Sequence, residues 1–387
     1  MAIDPQRRAT VVDAIRSSSL QALACCSPAG VLLLTGYWPV MAASLAVVSR
    51  DGSVCAIVPE DELELALSTS DADFISYQPH SLDRLTSTSQ ALAGPVRQLA
   101  AGLRLSCGQI GIDLDGDVQA TSYQSTNHLR TILAPLLSRA FPGFAIVSAD
   151  CMLDRLESVK TPLELNSLRH ASRLASVAFS EAEQAIAAGR REDEVAADIE
   201  AVFARVALDG FQRGRGYFYC MSGPNSAKAA GAYARTRRRV IQDGDPVMIH
   251  ANTVGDGFWT DITRTFIVGA ASDQQLRMRN AIMEARRAAL DAIVPGAPAR
   301  SVDAAARDVL AKNGFGDEFK HSTGHGVGFA AANPDAMPRI QPHSPDILEV
   351  GMTFNIEPAI YVDGVGGMRH CDVVACTGSG AEVLTDF

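Results

Sequence analysis

Hydrophobic residues in the first part of the chain follow two kinds of spacing. Polar and apolar positions alternate at helical intervals across residues 9–24, which predicts a helix. Three short apolar runs bounded by turn residues come next, at 30–36, 45–48 and 54–58. We interpret these runs as strands. Together they predict an α/β arrangement in which helices cover a sheet.

The pattern changes near residue 150, where the composition turns polar. Beyond it, four segments carry apolar residues at helical spacing, namely 162–188, 192–208, 273–293 and 301–313. The remaining segments beyond Gly210 are typical of strands joined by glycine-rich turns. We therefore predict two domains, residues 1–150 and residues 151–387, with the chemistry in the second.

Composition limits the class of protein. A chain of 387 residues with 47% hydrophobic and 20% charged positions is typical of a globular protein of about two domains. The formal charge of -10 argues against a nucleic-acid partner. The uncharged stretch 17–49 is broken by proline and glycine, so we expect neither a membrane span nor a membrane partner. Eight cysteines without a CxxC pair indicate reduced thiols and a cytoplasmic location.

A hairpin in the second domain carries the first candidate residues. Two strand-like segments, 247–252 and 258–263, flank the sequence Val-Gly-Asp-Gly. With Gly255 and Asp256 as the turn residues, His250 lies directly opposite Asp261. Directly opposed side chains are about 5 Å apart at Cβ, close enough to share a metal ion.

A second hairpin and a glycine-rich segment carry the other candidates. The hairpin runs from residue 352 to 372 and brings Glu357 opposite Cys371. Arg369 lies two residues before Cys371, so it faces the same side of its strand. Between the two hairpins, glycines beside His321 and His325 allow a close approach of the backbone.

Several of these segments resemble a known family. The signature segments of the pita-bread metallopeptidases, which include prolidase, Xaa-Pro aminopeptidase, methionine aminopeptidase and creatinase, are similar to "DGFWTDITRTFIVG", "HSTGHGVG" and "GMTFNIEPAIY". Two upstream segments, "LLLTGY" and "SGPNSA", resemble matching parts of its two-domain members. The resemblance therefore covers nearly the whole chain. It implies a creatinase-like N-terminal α/β domain, followed by an α+β pita-bread catalytic domain.

The resemblance also implies a metal site. The family holds two divalent ions with the ligands Asp, Asp, His, Glu and Glu, which fall here on His250, Asp261, His325, Glu357 and Cys371. Three positions match the family and two do not. Imidazole and thiolate at the two changed positions favour zinc or iron over manganese. Two carboxylates and one thiolate carry about -3, or about -2 if Cys371 stays a neutral thiol, so one ion is easier to hold than two. The sequence leaves open whether one ion or two are bound.

The activity implied is hydrolysis of a C–N bond in a small peptide or amide by a metal-activated water. In that mechanism Glu357 is the general base, and His321 binds the substrate near the leaving group. Arg369 contacts either the substrate or the metal ligands. Two further histidines of the family are replaced by Ala230 and Ala332. We therefore expect Xaa-Pro peptides to be poor substrates.

Other functions remain open. A metal-free amidinohydrolase like creatinase would use the same fold, although the retention of Asp261, His325 and Glu357 argues against it. A non-catalytic binding protein would keep the cleft and lose the reaction. Cys371 could also act as a covalent nucleophile, but no paired base is evident. By its resemblance to the family, the protein is expected to form a homodimer.

Overall fold

The computed structural model describes residues 3–40, 43–103, 105, 107–114, 129–231, 234–330 and 333–387. Ala332, one of the two positions where a family histidine was expected, lies outside these residues. The chain forms two compact units, Met1–Glu157 and Ser158–Phe387, and the division falls a little beyond residue 150. Among the described helices, none is both long enough and apolar enough to cross a membrane.

The described residues of the first unit form a six-stranded mixed sheet with helices around it. The strands are β1 Leu20–Cys25, β2 Leu45–Ser49, β3 Val54–Pro59, β4 Asp73–Tyr77, β5 Gly108–Ile112 and β6 Phe144–Ser148, in the order β4-β3-β2-β1-β5-β6. The helices are α1 Pro5–Arg16, α2 Pro28–Thr35, α3 Leu63–Thr69, α4 Thr88–Leu103, α5 Leu129–Ala140 and α6 Asp150–Ser158. Strand β2 is antiparallel to both neighbours, and the outer pairs are parallel.

The first unit contradicts two of the predicted elements. The predicted helix 9–24 is wrong beyond Arg16, because residues 20–25 form strand β1. The run 30–36 is helix α2 and not a strand. Ser27 accepts a hydrogen bond from the Gly30 N–H as the N-cap, and Gly36 ends the helix at φ 76°. The two other runs are confirmed as β2 and β3.

The second unit combines antiparallel strands with long helices. Its helices are α7 Pro162–Ala185, α8 Glu192–Gly210, α9 Asp273–Asp291 and α10 Ala299–Lys312, which confirms the four predicted helices. Its strands are β7 Gly214–Ser222, β8 Pro246–Gly255, β9 Phe258–Ile267, β10 Thr353–Ile356, β11 Ala359–Val362, β12 Gly366–Arg369, β13 Asp372–Thr377 and β14 Gly380–Val383. Strand β8 pairs with both β7 and β9, and β13 pairs with both β10 and β14.

The hairpin of β8 and β9 has a different register from the predicted one. His250 pairs with Thr263, so the predicted direct opposition of His250 and Asp261 is wrong. The turn residues are Asp256 and Gly257, both with positive φ (48° and 90°), because Asp-Gly is a preferred sequence for a type I′ turn. The observed partner of His250, Thr263, lies two residues from the predicted partner, Asp261. His250 and Asp261 therefore still face the same side of the sheet.

Three segments of the second unit meet beside this hairpin. Strand β10 pairs with β13 and β11 with β12, and the register of both pairs brings Glu357 level with Cys371, as predicted. Cys371 also exchanges backbone hydrogen bonds of 3.0 and 3.3 Å with Thr263 of β9. Gly326 forms a bridge with Phe354 of β10. The backbone thereby brings both hairpins and the glycine-rich segment to one place.

Candidate active site

Asp261 lies at the centre of the candidate site. Its Oδ1 is 3.6 Å from Nδ1 of His250 and 3.8 Å from Sγ of Cys371. Its Oδ2 is 3.7 Å from Nε2 of His325. All four side chains are buried. The structure therefore brings together four predicted site residues from three separate segments.

The side chain of Arg369 lies among these residues. Its Nη2 is 2.9 Å from Nδ1 of His250, and its Nε donates to Thr263 Oγ1 at 3.0 Å. Its Nη1 is 3.5 Å from the Tyr361 hydroxyl and 3.9 Å from Oε2 of Glu357. Burial opposes the charge of Arg369, but Tyr361, Glu357, Cys371 and Asp261 together raise the pKa of its guanidinium above the ordinary value. A permanent positive charge thus faces Glu357.

Hydrogen bonds fix the tautomer of His250. A guanidinium can only donate, so Nδ1 of His250 accepts from Arg369. The proton of the neutral ring is then on Nε2, which lies 3.1 Å from Oδ1 of Asn252 and donates to it. Burial lowers the pKa of His250 to about 4. His250 is therefore a neutral ring with both nitrogens engaged.

The thiol of Cys371 is fully buried. Its Sγ is 3.2 Å from the backbone carbonyl oxygen of Asp261, to which the thiol donates. Burial, together with the carboxyl groups of Asp261 and Glu357, raises the pKa of Cys371 well above its usual value. These contacts stabilise the neutral thiol and oppose the thiolate that metal binding by Cys371 would require.

His325 presents one ring nitrogen to the site. Its Nδ1 is 3.1 Å from the carbonyl oxygen of Gly326, to which it donates. The lone pair of Nε2 accepts a hydrogen bond of 3.3 Å from the Asn355 amide nitrogen, and Nε2 lies 3.7 Å from Oδ2 of Asp261. Asn355 also accepts a hydrogen bond of 2.7 Å from the backbone N–H of His325. The amide of Asn355 therefore orients both the ring and the backbone of His325.

Glu357 provides a buried carboxyl group, 8% exposed, at the end of strand β10. Burial raises the pKa of Glu357 to about 8; the charge of Arg369 opposes this shift and that of Asp261 adds to it. A carboxyl group whose pKa lies near neutrality can both accept and return a proton around pH 7. This property is typical of a general acid–base residue.

His321 is linked to the site through Tyr361. Its Nδ1 is 2.8 Å from the carbonyl oxygen of Ser322 and its Nε2 is 2.9 Å from the Tyr361 hydroxyl. Burial, aided by the charge of Arg369, lowers the pKa of His321 to about 3. The predicted contact of His321 with substrate stays a prediction, because both ring nitrogens already have partners in the chain.

Sequence reasoning missed four side chains that hold the site together, namely Asn252, Thr263, Asn355 and Tyr361. Strand periodicity could have identified Asn252 and Thr263, since each lies two residues from a predicted ligand and so faces the same side. Asn355 and Tyr361 belong to the segment "GMTFNIEPAIY" itself.

The donor groups can be tested against the expected ions. A metal site needs several lone pairs directed at one point. His250 gives its lone pair to Arg369, and Cys371 keeps its proton. Within the residues that the structure describes, no group of three or more His, Cys, Asp or Glu side chains is arranged to hold a metal ion. As placed, these side chains do not fit the ions, so the predicted ligand set stays a prediction that the contacts oppose.

The close packing of the glycine-rich segment gives a prediction for stability. A Cβ atom at Gly324 would lie 1.9 Å from the backbone oxygen of Asn355, whereas one at Gly378 meets nothing within 4 Å. We expect Gly324→Ala to lower the free energy of unfolding by about 1–3 kcal/mol, the usual cost of overpacking. The matched control Gly378→Ala should melt like the wild type in calorimetry. Equal melting temperatures for the two variants would contradict the close approach.

The chain is similar in sequence to a known metallopeptidase family and to several dipeptidases. The sequence model of metallopeptidase family M24 matches residues 166–378. The Xaa-Pro dipeptidase of Pyrococcus furiosus is 34% identical over 236 residues, which are 61% of this chain and 65% of that protein. The probable dipeptidase PepE of Mycobacterium tuberculosis is 36% identical over 241 residues, 62% of this chain and 61% of that protein. The chain thus spans less than two thirds of the length of these curated relatives.

The fold of this chain is similar to that of a solved prolidase structure. The structure of the prolidase from Pyrococcus furiosus matches with a TM-score of 0.74 and 26% identity, covering 97% of this chain and 99% of that chain. This similarity confirms the predicted fold, an α/β first part followed by a pita-bread second part. The family name implies divalent metal ions, which the side chains described above do not fit as placed. Because the family model covers more than half of the chain, this protein belongs to metallopeptidase family M24.

Proposed function

We propose that this protein hydrolyses a C–N bond in a small peptide or amide. The observation that carries the proposal is the convergence of Asp261, His325 and Glu357 in a buried site of an M24 family member. The names of the relatives, Xaa-Pro dipeptidase and probable dipeptidase, favour the same class of reaction. Acidic and imidazole groups in one buried site are typical of hydrolytic enzymes.

In the proposed reaction Glu357 accepts a proton from water, whose oxygen bonds to the substrate carbonyl carbon. The C–N bond then breaks, and Glu357 returns the proton to the leaving nitrogen. Arg369, whose Nη1 is 3.9 Å from Glu357, stabilises the negative charge that develops on the carbonyl oxygen. Asp261, whose Oδ2 is 3.7 Å from Nε2 of His325, orients the attacking water.

The preference for zinc or iron over manganese, and the number of ions, stay predictions. Both depend on a Cys371 thiolate, and the contacts of this thiol support its neutral form. The hydrogen bonds between Arg369 and His250 favour the second candidate, a metal-free hydrolase of the creatinase kind. In that reaction Glu357 would accept a proton from a water that attacks an amidino or amide carbon without a bound ion, and it would return the proton to the leaving nitrogen.

A substrate panel tests the proposed function. Xaa-Pro dipeptides, other dipeptides, N-acyl amino acids and guanidino acids are incubated with the protein, and the released amines are identified by mass spectrometry. We expect turnover of at least one compound. No turnover of any member would contradict the proposal and favour a binding protein that keeps the peptidase fold.

Within this panel we expect Xaa-Pro dipeptides to react slowly. Ala230 stands where the family has a histidine, and removing one donor to developing charge costs on the order of 100-fold in rate. The kcat for Xaa-Pro dipeptides should therefore lie at least that far below the kcat for the best substrate. If an Xaa-Pro dipeptide is itself the best substrate, at an ordinary enzyme rate, this reasoning is wrong.

We also propose a homodimer and a cytoplasmic location. A homodimer is expected from the resemblance to the family, and light scattering of the purified protein should give twice the mass of the chain. Eight cysteines without a CxxC pair support a reducing compartment such as the cytoplasm.

A further inference from the structure

The candidate site contains a buried positive charge, the guanidinium of Arg369. The Arg369 side chain is 5% exposed, and its two shortest hydrogen bonds are to His250 at 2.9 Å and to Thr263 at 3.0 Å. The Thr263 hydroxyl is in turn 3.0 Å from Nδ1 of His250 and donates to it. The three side chains form a closed hydrogen-bonded ring. Arg369 is therefore held in place and cannot turn away without breaking two hydrogen bonds.

The residue type at position 250 determines whether the hydrogen-bonded ring of Arg369, Thr263 and residue 250 can also bind a metal ion. A carboxylate has two oxygens, so it can accept from an arginine with one and bind a metal ion with the other. A neutral imidazole has one lone pair. In His250 that lone pair accepts from Arg369 and Thr263, and Nε2 donates to Asn252. His250 can therefore bind Arg369 or a metal ion, but not both.

The net charge of the site also opposes a bound metal ion. Two carboxyl groups, Asp261 and Glu357, face one guanidinium, and Cys371 is held as a thiol by the Asp261 carbonyl oxygen. The net charge is then about -1 with both carboxyl groups ionised, against about -4 for the four carboxylates of the family's ligand set, so less negative charge is present to offset a divalent ion. A dication would also be placed against the fixed charge of Arg369.

We propose that the hydrogen-bonded pair of Arg369 and His250 takes the place of a bound ion, so that this protein retains no stoichiometric divalent metal. Arg369 is then the cation of the site and faces the carbonyl oxygen of the substrate. Only this second statement rests on the proposed function. The exclusion of metal holds whether or not the protein hydrolyses its ligand.

Metal analysis of the purified protein tests the proposal. The wild type is expressed in medium supplemented with manganese, iron and zinc, dialysed against metal-free buffer and analysed by plasma mass spectrometry. We expect well below one ion per chain. Equilibrium dialysis against Mn²⁺ and Zn²⁺ should likewise show no stoichiometric binding by the wild type.

A double variant, His250→Asp with Cys371→Glu, restores carboxylates at both changed positions. Carboxylate oxygens can hold Arg369 and an ion together, so this variant should bind at least one Mn²⁺ per chain. The control His80→Asp with Cys107→Glu makes the same two changes at exposed positions of the first unit. It should bind no more Mn²⁺ than the wild type, and circular dichroism establishes that all three proteins are folded.

Two results would overturn the proposal. One is a dialysed wild type that keeps one or more ions per chain. The other is a folded double variant that binds as little Mn²⁺ as the wild type, because His250 and Cys371 would then not be what excludes the ion. Hydrolysis of the substrate panel, with and without a chelator, is scored separately. A protein that turns over nothing yet binds no metal contradicts the proposed function alone.

Discussion

Replacing Glu357 by glutamine is expected to lower the kcat for the best substrate by about 1000-fold, within the usual range for loss of a general base. An amide of the same size cannot accept the proton of the attacking water. The backbone N–H of Glu357 still donates to the Thr323 carbonyl oxygen at 2.8 Å, so the main chain should keep its position. Steady-state kinetics give kcat and KM separately, and we expect the change in kcat.

The matched control is Glu382→Gln. Glu382 lies on strand β14 and makes a half-exposed ion pair with Arg169. Removing the charge of Glu382 should leave kcat unchanged. Melting temperatures of both variants separate a chemical effect from unfolding. Full activity of Glu357→Gln would exclude Glu357 as the base. A melting temperature that falls together with the activity would instead indicate a structural role.

The parts of the site that follow from local sequence were predictable. Asp261, Glu357 and His325 lie in three short segments whose glycines, alternation and spacing can be read directly, and the structure brings these segments together. The register of the first hairpin was predicted wrongly, because two overlapping pairs of residues, Gly255-Asp256 and Asp256-Gly257, could both form the turn. Backbone conformation favours the second pair, which places positive φ at both residues.

The hydrogen-bonding state of His250 could not be predicted in this way. It depends on Arg369, which is 119 residues away along the chain, and on which of two nitrogens meets the guanidinium. Sequence spacing indicated that both residues face the site but not that they contact each other. The same limit applies to helix α2, where a short apolar run fits either a buried strand or a buried helix, and only the caps at Ser27 and Gly36 decide.

Replacing Asp372 by asparagine is expected to lower the free energy of unfolding by about 3–5 kcal/mol, the usual effect of breaking a buried ion pair. Asp372 is fully buried next to the site and accepts from Arg264 at 2.8 Å, Arg286 at 2.5 Å and Thr385 at 3.0 Å. Asparagine would remove the counter-charge of Arg264, leave Arg286 only the exposed Asp386 at 3.7 Å, and turn an N–H donor toward one of the two arginines. Calorimetry of both proteins at neutral pH measures the difference.

The difference in free energy of unfolding between the wild type and Asp372→Asn should depend on pH. Burial opposes ionisation of Asp372, but the His370 ring, whose Nε2 lies 3.3 Å from Oδ2, and the charges of Arg264 and Arg286 outweigh it and hold the pKa of this carboxyl well below its usual range. A group whose pKa is lowered by folding stabilises the protein above its unfolded-state pKa of about 4, and this stabilisation is lost as the pH falls through the folded value. The difference between wild type and variant should therefore be largest at neutral pH and shrink below about pH 4.

The control for this variant is Asp363→Asn. Asp363 is 79% exposed and pairs with Lys228 at the surface, so its replacement should change the free energy of unfolding by less than about 1 kcal/mol. An effect of Asp372→Asn as small as that of the control would show that the two arginines find other partners. A difference that stays constant into acid would show that the lost stability comes from packing and not from the charge of Asp372.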